Sequence, residues 1–355
     1  MTGHVVLQDG TTFTGYGFGH SGTTAGRLVF HTGVVGYQEI ITNPAYHGLL
    51  VVMTYPLIGN VGVVPDASES ASVQAAGLIV KQQSPAFSNW QAREDLPAFM
   101  RRHNLIGLQG IDTRALVTHL RDQGEMGAVL STESDELDRL RDQARQASTT
   151  QDGALARVTT SDTAILEPTG SVRAEITLLD LGITGSLLER LRQQGCRVRR
   201  LPASAPVSKI LEHTPQAVIL AGGPEDRPGL QRVARQVGQL PPDIPVLGIG
   251  SGFLVVALMH GAHVVSMRCG HHGLNQPVKI TPTDTAAITI QDHSLSIDPD
   301  TVASDRMEVT HTNLNDNTIE GIRSLGRSCT EAIHYVPDHV GEWAVNWLEH
   351  HASKN

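Results

Sequence analysis

Short apolar runs broken by glycine and proline set the pattern of the first third of the chain. Val5-Val6-Leu7, the turn signal Asp9-Gly10 and Thr11-Thr12-Phe13 predict a hairpin. Leu49–Tyr55 predicts a buried strand stopped by Pro56, and Gly77–Val80 predicts another. Leu96–Arg102 and Thr113–Gln123 predict short helices, the second with Asp112 as its N-cap and Gly124 as its stop. From Ser131 to Ser171 polar residues dominate, around an amphipathic helix near Glu136–Ala147; this stretch reads as a linker-bearing boundary.

After Arg173 the pattern becomes strand then helix. Strands are predicted at Glu175–Asp180, Arg197–Leu201, Ala217–Ala221 and Val246–Ile249. Helices are predicted at Gly185–Gln194, Val207–His213 and Gly229–Gln239. Such alternation implies a largely parallel sheet with helices on both faces. From His263 onward the chain predicts shorter strands and a final helix near Glu342–His350. The centre of this half is Val246-Leu247-Gly248-Ile249-Gly250-Ser251-Gly252-Phe253-Leu254: a buried strand, a sharp turn and the apolar helix Phe253–Met259. In an α/β fold this corner is where a nucleophile is commonly lifted to the sheet's C-terminal edge. Here the corner residue is Gly250.

Composition narrows the function classes. The 355 residues suggest two domains, and 40% hydrophobic content with only 4% aromatics predicts aliphatic cores. A formal charge of −9 argues against a nucleic-acid binder. No apolar run is long enough to span a membrane, and Met1-Thr2-Gly3-His4 does not open a signal peptide. Cys196, Cys269 and Cys329 are too scattered for a disulfide framework or a zinc site, which favours a reducing cytoplasm. His260, His263, His271 and His272 match no standard metal spacing, so no metal and no cofactor is expected. The Gly248-x-Gly250-x-Gly252 pattern lacks the spacing of a phosphate loop. Arg197, Arg199 and Arg200 read as a solvated strand edge or a partner contact.

Several linked stretches carry a family resemblance. In the first half they are Phe30-His31-Thr32-Gly33-Val34-Val35-Gly36-Tyr37-Gln38-Glu39, Thr42-Asn43-Pro44-Ala45-Tyr46, Thr54–Gly62 and Ile111-Asp112-Thr113-Arg114-Ala115-Leu116. Together, in order and spacing, they resemble the small subunit of carbamoyl-phosphate synthetase. In the second half Asp180–Ile183, Gly223-Pro224-Glu225-Asp226, Gly270–Val278, Val309-Thr310-His311 and Glu320-Gly321-Ile322 resemble the class I glutamine amidotransferase domain fused to it. The resemblance implies an α/β chain in three parts. A β-rich α/β domain would cover 1–150 and a linker 151–172. A glutamine amidotransferase-like domain with a mostly parallel, doubly wound sheet would cover 173–355. It also implies a heteromer with a large subunit that makes carbamoyl phosphate, for pyrimidine and arginine biosynthesis, from ammonia, bicarbonate and ATP.

The residues that glutamine hydrolysis needs are missing. The reaction needs a thiolate, a histidine proton shuttle, a carboxylate to orient it and donors for the oxyanion. In the family's Gly-x-Cys-x-Gly elbow, Gly250 stands for the cysteine. In its His-Pro-Glu motif, Val336 stands for the histidine and Asp338 for the glutamate. His334, two residues upstream, keeps the same strand face but not the same position, and reads as structural or surface. The resemblance places a degenerate glutamine pocket at Ala45, Gly223, Glu225, Ser251, Leu254, Asp292, Ser294 and Leu295. Glu225 stands out, because an anion beside an oxyanion hole opposes the charge of the transition state. Ser251 reads as a cap on the following helix rather than a displaced nucleophile.

Three functions remain open. The chain is a structural or regulatory partner of a large subunit that uses free ammonia. Alternatively it is a stand-alone pseudoenzyme binding a small ligand, with Glu225 favouring a cation or amine. As a third reading it is a hydrolase with relocated residues, Ser251 or Asp338.

Overall fold

A computed structural model describes residues 2–134, 136–147, 149–326, 330–337 and 340–352. Two units emerge: Met1–Gln151 with Arg268–Gly273, and Asp152–Met267 with Leu274–Asn355.

In the first unit the strands are β1 (Thr2–Leu7), β2 (Thr12–Gly19), β3 (Thr23–His31), β4 (Leu50–Met53), β5 (Leu57–Ile58), β6 (Gly77–Ile79), β7 (Gln82–Gln83), β8 (Ile106–Gln109) and β9 (Met126–Ser131). Seven of them close into a barrel in the order β1-β2-β8-β6-β4-β3-β9, while β5 and β7 form a separate pair. The predicted hairpin is β1 with β2, in antiparallel register with Val5 opposite Phe13. Alternation supplies two cores, because successive strand residues face opposite sides. Val5, Leu7, Leu50, Val52, Ile106 and Leu108 fill one. Val29, Val51, Met53 and Leu78 face the other, beside Leu96, Phe99 and Met100 of the helix Leu96–Arg102. The helix Thr113–Gln123 starts where Asp112 accepts from the Ala115 N–H at 2.9 Å and stops at Gly124, φ 95°. The helix Leu137–Gln146 lies in the polar stretch that composition marks as a boundary. It packs Leu140 and Ala144 onto Val6 and Val129 of the barrel.

In the second unit the strands are β10 (Ala164–Leu166), β11 (Ala174–Asp180), β12 (Cys196–Pro202), β13 (Ala217–Ala221), β14 (Val246–Ile249), β15 (Val264–Ile280, whose residues 268–273 count with the first unit), β16 (Thr285–Ile297), β17 (Met307–Asn313), β18 (Ile319–Ser324) and β19 (Thr330–Ile333). They form one sheet in the order β10-β12-β11-β13-β14-β19-β18-β17-β15-β16. The pairs joining β12, β11, β13, β14 and β19 are parallel. β10 pairs antiparallel with β12, and β19-β18-β17-β15 continue antiparallel. The sheet is therefore mixed, with its parallel part at the β14 corner. Of the tail strands, β17, β18 and β19 are short as expected, with 7, 6 and 4 residues, whereas β15 has 17 and β16 has 13. Alternation again splits the core. Leu179, Leu201, Val218, Leu220 and Val246 pack with Leu230, Val233 and Val237 of the helix Arg227–Val237 and with the helix Ser251–Met259. Ile176, Leu178, Val198, Ile219, Leu247 and Ile249 pack with Leu187 and Leu191 of the helix Gly185–Gln193 and with Ala344 and Val345 of the helix Val340–Ala352.

The arginines of β12 do not form a solvated edge, because β12 lies between β10 and β11. Arg197 pairs with Glu167 at 3.0 Å and Glu175 at 2.6 Å. Arg199 is buried against the Lys209 carbonyl at 2.6 Å and pairs with Glu212. Arg200 Nε donates to the fully buried Asp180 at 2.9 Å. Cys196 is a buried free thiol whose pKa burial pushes up to about 11, with Arg173 opposing. Among the described residues no helix is long and apolar enough to cross a membrane.

In the first unit burial, reinforced by the nearby His272, pushes the pKa of His31 down from 6.5 to about 3. The Gly33 N–H donates to its Nδ1 at 2.9 Å, which a neutral ring accepts. The unfolded chain therefore takes up a proton near pH 6.5 that the folded chain refuses until about pH 3. Stability from this residue is full above pH 6.5 and falls as pH drops toward 3. Urea unfolding should lose roughly 1 kcal/mol per pH unit more in the native chain than in His31→Gln between about pH 6 and 4. Equal slopes would show that His31 titrates normally.

Candidate functional site

β14 ends at Ile249, Gly250 turns the chain at φ 62° and ψ −126°, and the helix Ser251–Met259 begins. The Gly250 N–H donates to the Ile333 carbonyl at 3.0 Å. Because β13 and β19 flank β14 in parallel, the corner opens between the ends of three strands. Loops from β13 carry Gly222 to Asp226, and His334 follows β19 directly.

The glycines here differ in kind. A Cβ on Gly252 would stand 2.1 Å from the Leu220 carbonyl oxygen, and one on Gly248 2.5 Å from that of Gly252. One on Gly223 would stand 1.6 Å from the Leu181 oxygen. A Cβ on Gly250 would meet nothing closer than 3.7 Å. Gly250 thus has room for a side chain, and only its backbone angles favour glycine.

The other pocket positions named from sequence are placed as follows. Ser251 is the first helical residue; its Oγ donates to the Gly222 carbonyl. It is not the cap predicted from sequence, because Gly250 holds the N-cap position with no side-chain bond. The hydroxyl bond to a carbonyl also gives Ser251 no base. Leu254 is buried in the core. Val336 is half-buried, packs against the core beneath the last helix and bridges Ile290. Asp338 lies outside the described residues. Ala45 belongs to the first unit, in a tight turn where its N–H donates to Asn43 Oδ1 at 3.0 Å and its carbonyl accepts from Gln151 at 2.9 Å.

Glu225 is buried. Its two carboxylate oxygens accept from the backbone N–H groups of Ser294 at 2.8 Å and Leu295 at 2.7 Å. Three pocket positions named from sequence therefore meet, with one supplying an anion and two supplying donors. Asp292, between Gln291 and His293 on β16, is half-buried.

Next to this clamp lies a group that the sequence did not assemble. His293 of β16 donates from Nδ1 to the Leu295 carbonyl at 3.0 Å, and its Nε2 lies 3.4 Å from Glu320 of β18. Glu320 is fully buried and accepts from Thr318 at 2.9 Å. His334 is buried too, which corrects the surface alternative. Its ring stacks on His293 at 3.7 Å and on Phe253 at 4.6 Å, and its Nδ1 is 3.9 Å from Glu320. Burial works against a charged His293, but Glu320 and then Glu225 outweigh it and hold its pKa up at about 9. On the neighbouring β17, burial drives His311 down to about 4, with Glu320 opposing and Arg323 assisting. Each residue was legible as a letter: His293 and Glu320 lie in motif stretches, and His334 precedes the Val336-Pro337-Asp338 segment. What brings them together is the order β19-β18-β17-β15-β16, which local patterning does not encode.

The four histidines weighed for a metal do not form one group. His271 and His272 belong to the first unit, where His272 Nε2 lies 3.6 Å from Glu125, whereas His260 and His263 belong to the second.

Comparison with known proteins gives two family matches. Residues 5–130 match the model described as carbamoyl-phosphate synthase small chain, CPSase domain, and residues 177–335 match glutamine amidotransferase class-I. A carbamoyl phosphate synthase small chain of Akkermansia muciniphila is 38% identical, over 91% of this chain and 88% of its own length. That of a Nostoc species is also 38% identical, over 91% of this chain and 87% of its own. A solved glutamine amidotransferase structure from Thermotoga maritima is 18% identical with a TM-score of 0.35, covering 51% of this chain and 84% of its own.

The two kinds of glycine predict different costs. Gly250→Ala should destabilise by about 1–3 kcal/mol through backbone strain alone. Gly252→Ala should cost clearly more, because the Leu220 carbonyl must move. Chemical denaturation of both variants checks the order, and equal losses would contradict it.

Proposed function

The chain belongs to the carbamoyl phosphate synthase small-chain family, and we propose that it serves there as a small chain without glutaminase activity. In this reading it is a cytoplasmic structural or regulatory partner of a large subunit. That subunit makes carbamoyl phosphate from free ammonia, bicarbonate and ATP, for pyrimidine and arginine biosynthesis. An N-terminal β-rich domain and a doubly wound amidotransferase-like domain make up its architecture, and the stretch read as a linker, 151–172, lends the edge strand β10 to the second sheet. The observation that carries the reading is the pair Gly250 and Val336: the position aligned with the nucleophile has no side chain, and the one aligned with the base is a half-buried valine packed against apolar core.

The chemistry follows from these residues. Without a thiolate no acyl-enzyme forms, and a valine neither takes the nucleophile's proton nor returns one to departing ammonia. The Ser251 hydroxyl is bonded to a backbone carbonyl, which argues against a relocated serine nucleophile. Glu225 occupies the backbone donors of Ser294 and Leu295, so these are not free to receive a substrate carboxylate. The degenerate pocket at Ala45, Gly223, Glu225, Ser251, Leu254, Asp292, Ser294 and Leu295 is on this view retired from glutamine binding. The buried charges there favour, as a second reading, a ligand-binding pseudoenzyme that acts alone.

Purified chain mixed with a carbamoyl-phosphate synthetase large subunit should form a complex and support synthesis from ammonia but not from glutamine. Glutamate release should lie on the order of 10⁶-fold below that of an intact site, the scale of losing a nucleophile. Gly250→Cys alone should remain inactive, because residue 336 still offers no base. Glutamate release at an ordinary rate would overturn the proposal, and absence of any complex in size-exclusion chromatography would favour the stand-alone reading.

A further inference from the structure

We propose that Glu225, His293 and His334 form a buried site for a divalent transition metal such as zinc, with Glu320 as a further carboxylate ligand or the anion behind the two histidines. One ligand atom from each of the three lies within 4.8 Å of the others, and all three residues are buried. The donor set is two imidazoles and a carboxylate, a combination that suits zinc and iron(II). All of it lies in the second unit, so the site is complete within one folded body.

The surroundings hold these side chains in place, and the stacked rings of His293 and His334 would tilt apart to bring their in-plane lone pairs onto one ion. A ligating histidine usually donates its other ring N–H to a carbonyl or carboxylate, which fixes the tautomer. His293 does this, with Nδ1 on the Leu295 carbonyl at 3.0 Å; its Nε2 now lies 3.3 Å from Gln291 Oε1 and 3.4 Å from Glu320, and a metal would take the place of the proton held there. Glu225 is held by two backbone N–H groups, one on each oxygen, and each carboxylate oxygen keeps a lone pair. Phe253 stacks on His334 from one side and His293 from the other.

Charge points the same way. Glu225 is 7% and Glu320 0% exposed, so two carboxylates share a space poor in water. A divalent cation would bring the positive charge that two buried carboxylates call for, displacing the proton from the His293 nitrogen it takes. Bonds of about 2.0–2.2 Å would draw the ligand atoms inward from their present spacing. The site would be structural: closed by protein ligands, it would fix the ends of β16, β18 and β19 and the loop after β13.

The test uses the full chain, stripped with a chelator and titrated with Zn(II) by calorimetry and thermal melting. One equivalent should bind and raise the melting temperature. Cobalt(II) should give the visible bands of a tetrahedral nitrogen–oxygen site with no thiolate charge-transfer band. Glu225→Gln, which keeps the size of the side chain, should weaken binding at least tenfold. His334→Phe, which keeps a flat ring between Phe253 and His293, should do the same, and covers the case in which Glu225→Gln fails to fold. No saturable binding, binding unchanged in the folded variants, or a thiolate band would each overturn the proposal. None of these readouts depends on glutamine hydrolysis or on a large subunit, so the site stands or falls apart from the role proposed above.

Discussion

The sheet's C-terminal edge is built on backbone contacts too close for side chains. Gly223 lies against the Leu181 carbonyl, Gly252 against that of Leu220, and Gly248 against Gly252. These contacts seat the strand ends and loops of β11, β13 and β14 on one another, and the loop carrying Glu225 and the corner at Gly250 rest on them. A methyl group at any of the three would push a backbone oxygen, which has nowhere to go in a close-packed interior. The corner is consequently a property of packing. Its shape does not depend on a side chain at position 250, where there is none.

The same edge concentrates charge. Asp180 is fully buried, yet it accepts from the N–H groups of Gly182 and Ile183 and pairs with Arg200. Glu225 repeats the device with Ser294 and Leu295. In both cases backbone donors pay for burial of an anion, since a carboxylate without partners would cost far more than either loop gains by folding. Glu225 is thus a built part of its pocket and not a stray charge left in an empty one. It enters a region already holding His293 and Glu320, and this makes the altered pocket a coherent object.

Much of this was legible in the sequence because it is locally encoded. The helices at Leu96–Arg102 and Thr113–Gln123 begin at an aspartate cap, and the second ends at Gly124. The strands Ala217–Ala221 and Val246–Ile249 are unbroken apolar runs between turn signals. Gly250 and Val336 could be read as losses because motif residues flank them. Long-range order was harder to read. The antiparallel flank of β17, β18 and β15 depends on pairings across the tail, and alternation in β15 is weak because few of its residues are buried. His334 read as structural or surface without a nucleophile to serve, and its stacking on His293 and Phe253 gives its place. The β12 arginines looked like a surface patch because their acidic partners are distant in sequence, except Glu212.

Closure of the first unit's barrel has a consequence for recognition. With β1 paired to both β2 and β9, and β3 to both β4 and β9, the barrel strands offer no open ladder of main-chain donors and acceptors. A partner protein cannot extend this barrel by adding a strand of its own. Any affinity it has for the barrel must come through side chains on the outer loops and helices, where single substitutions retune specificity without disturbing the ring beneath.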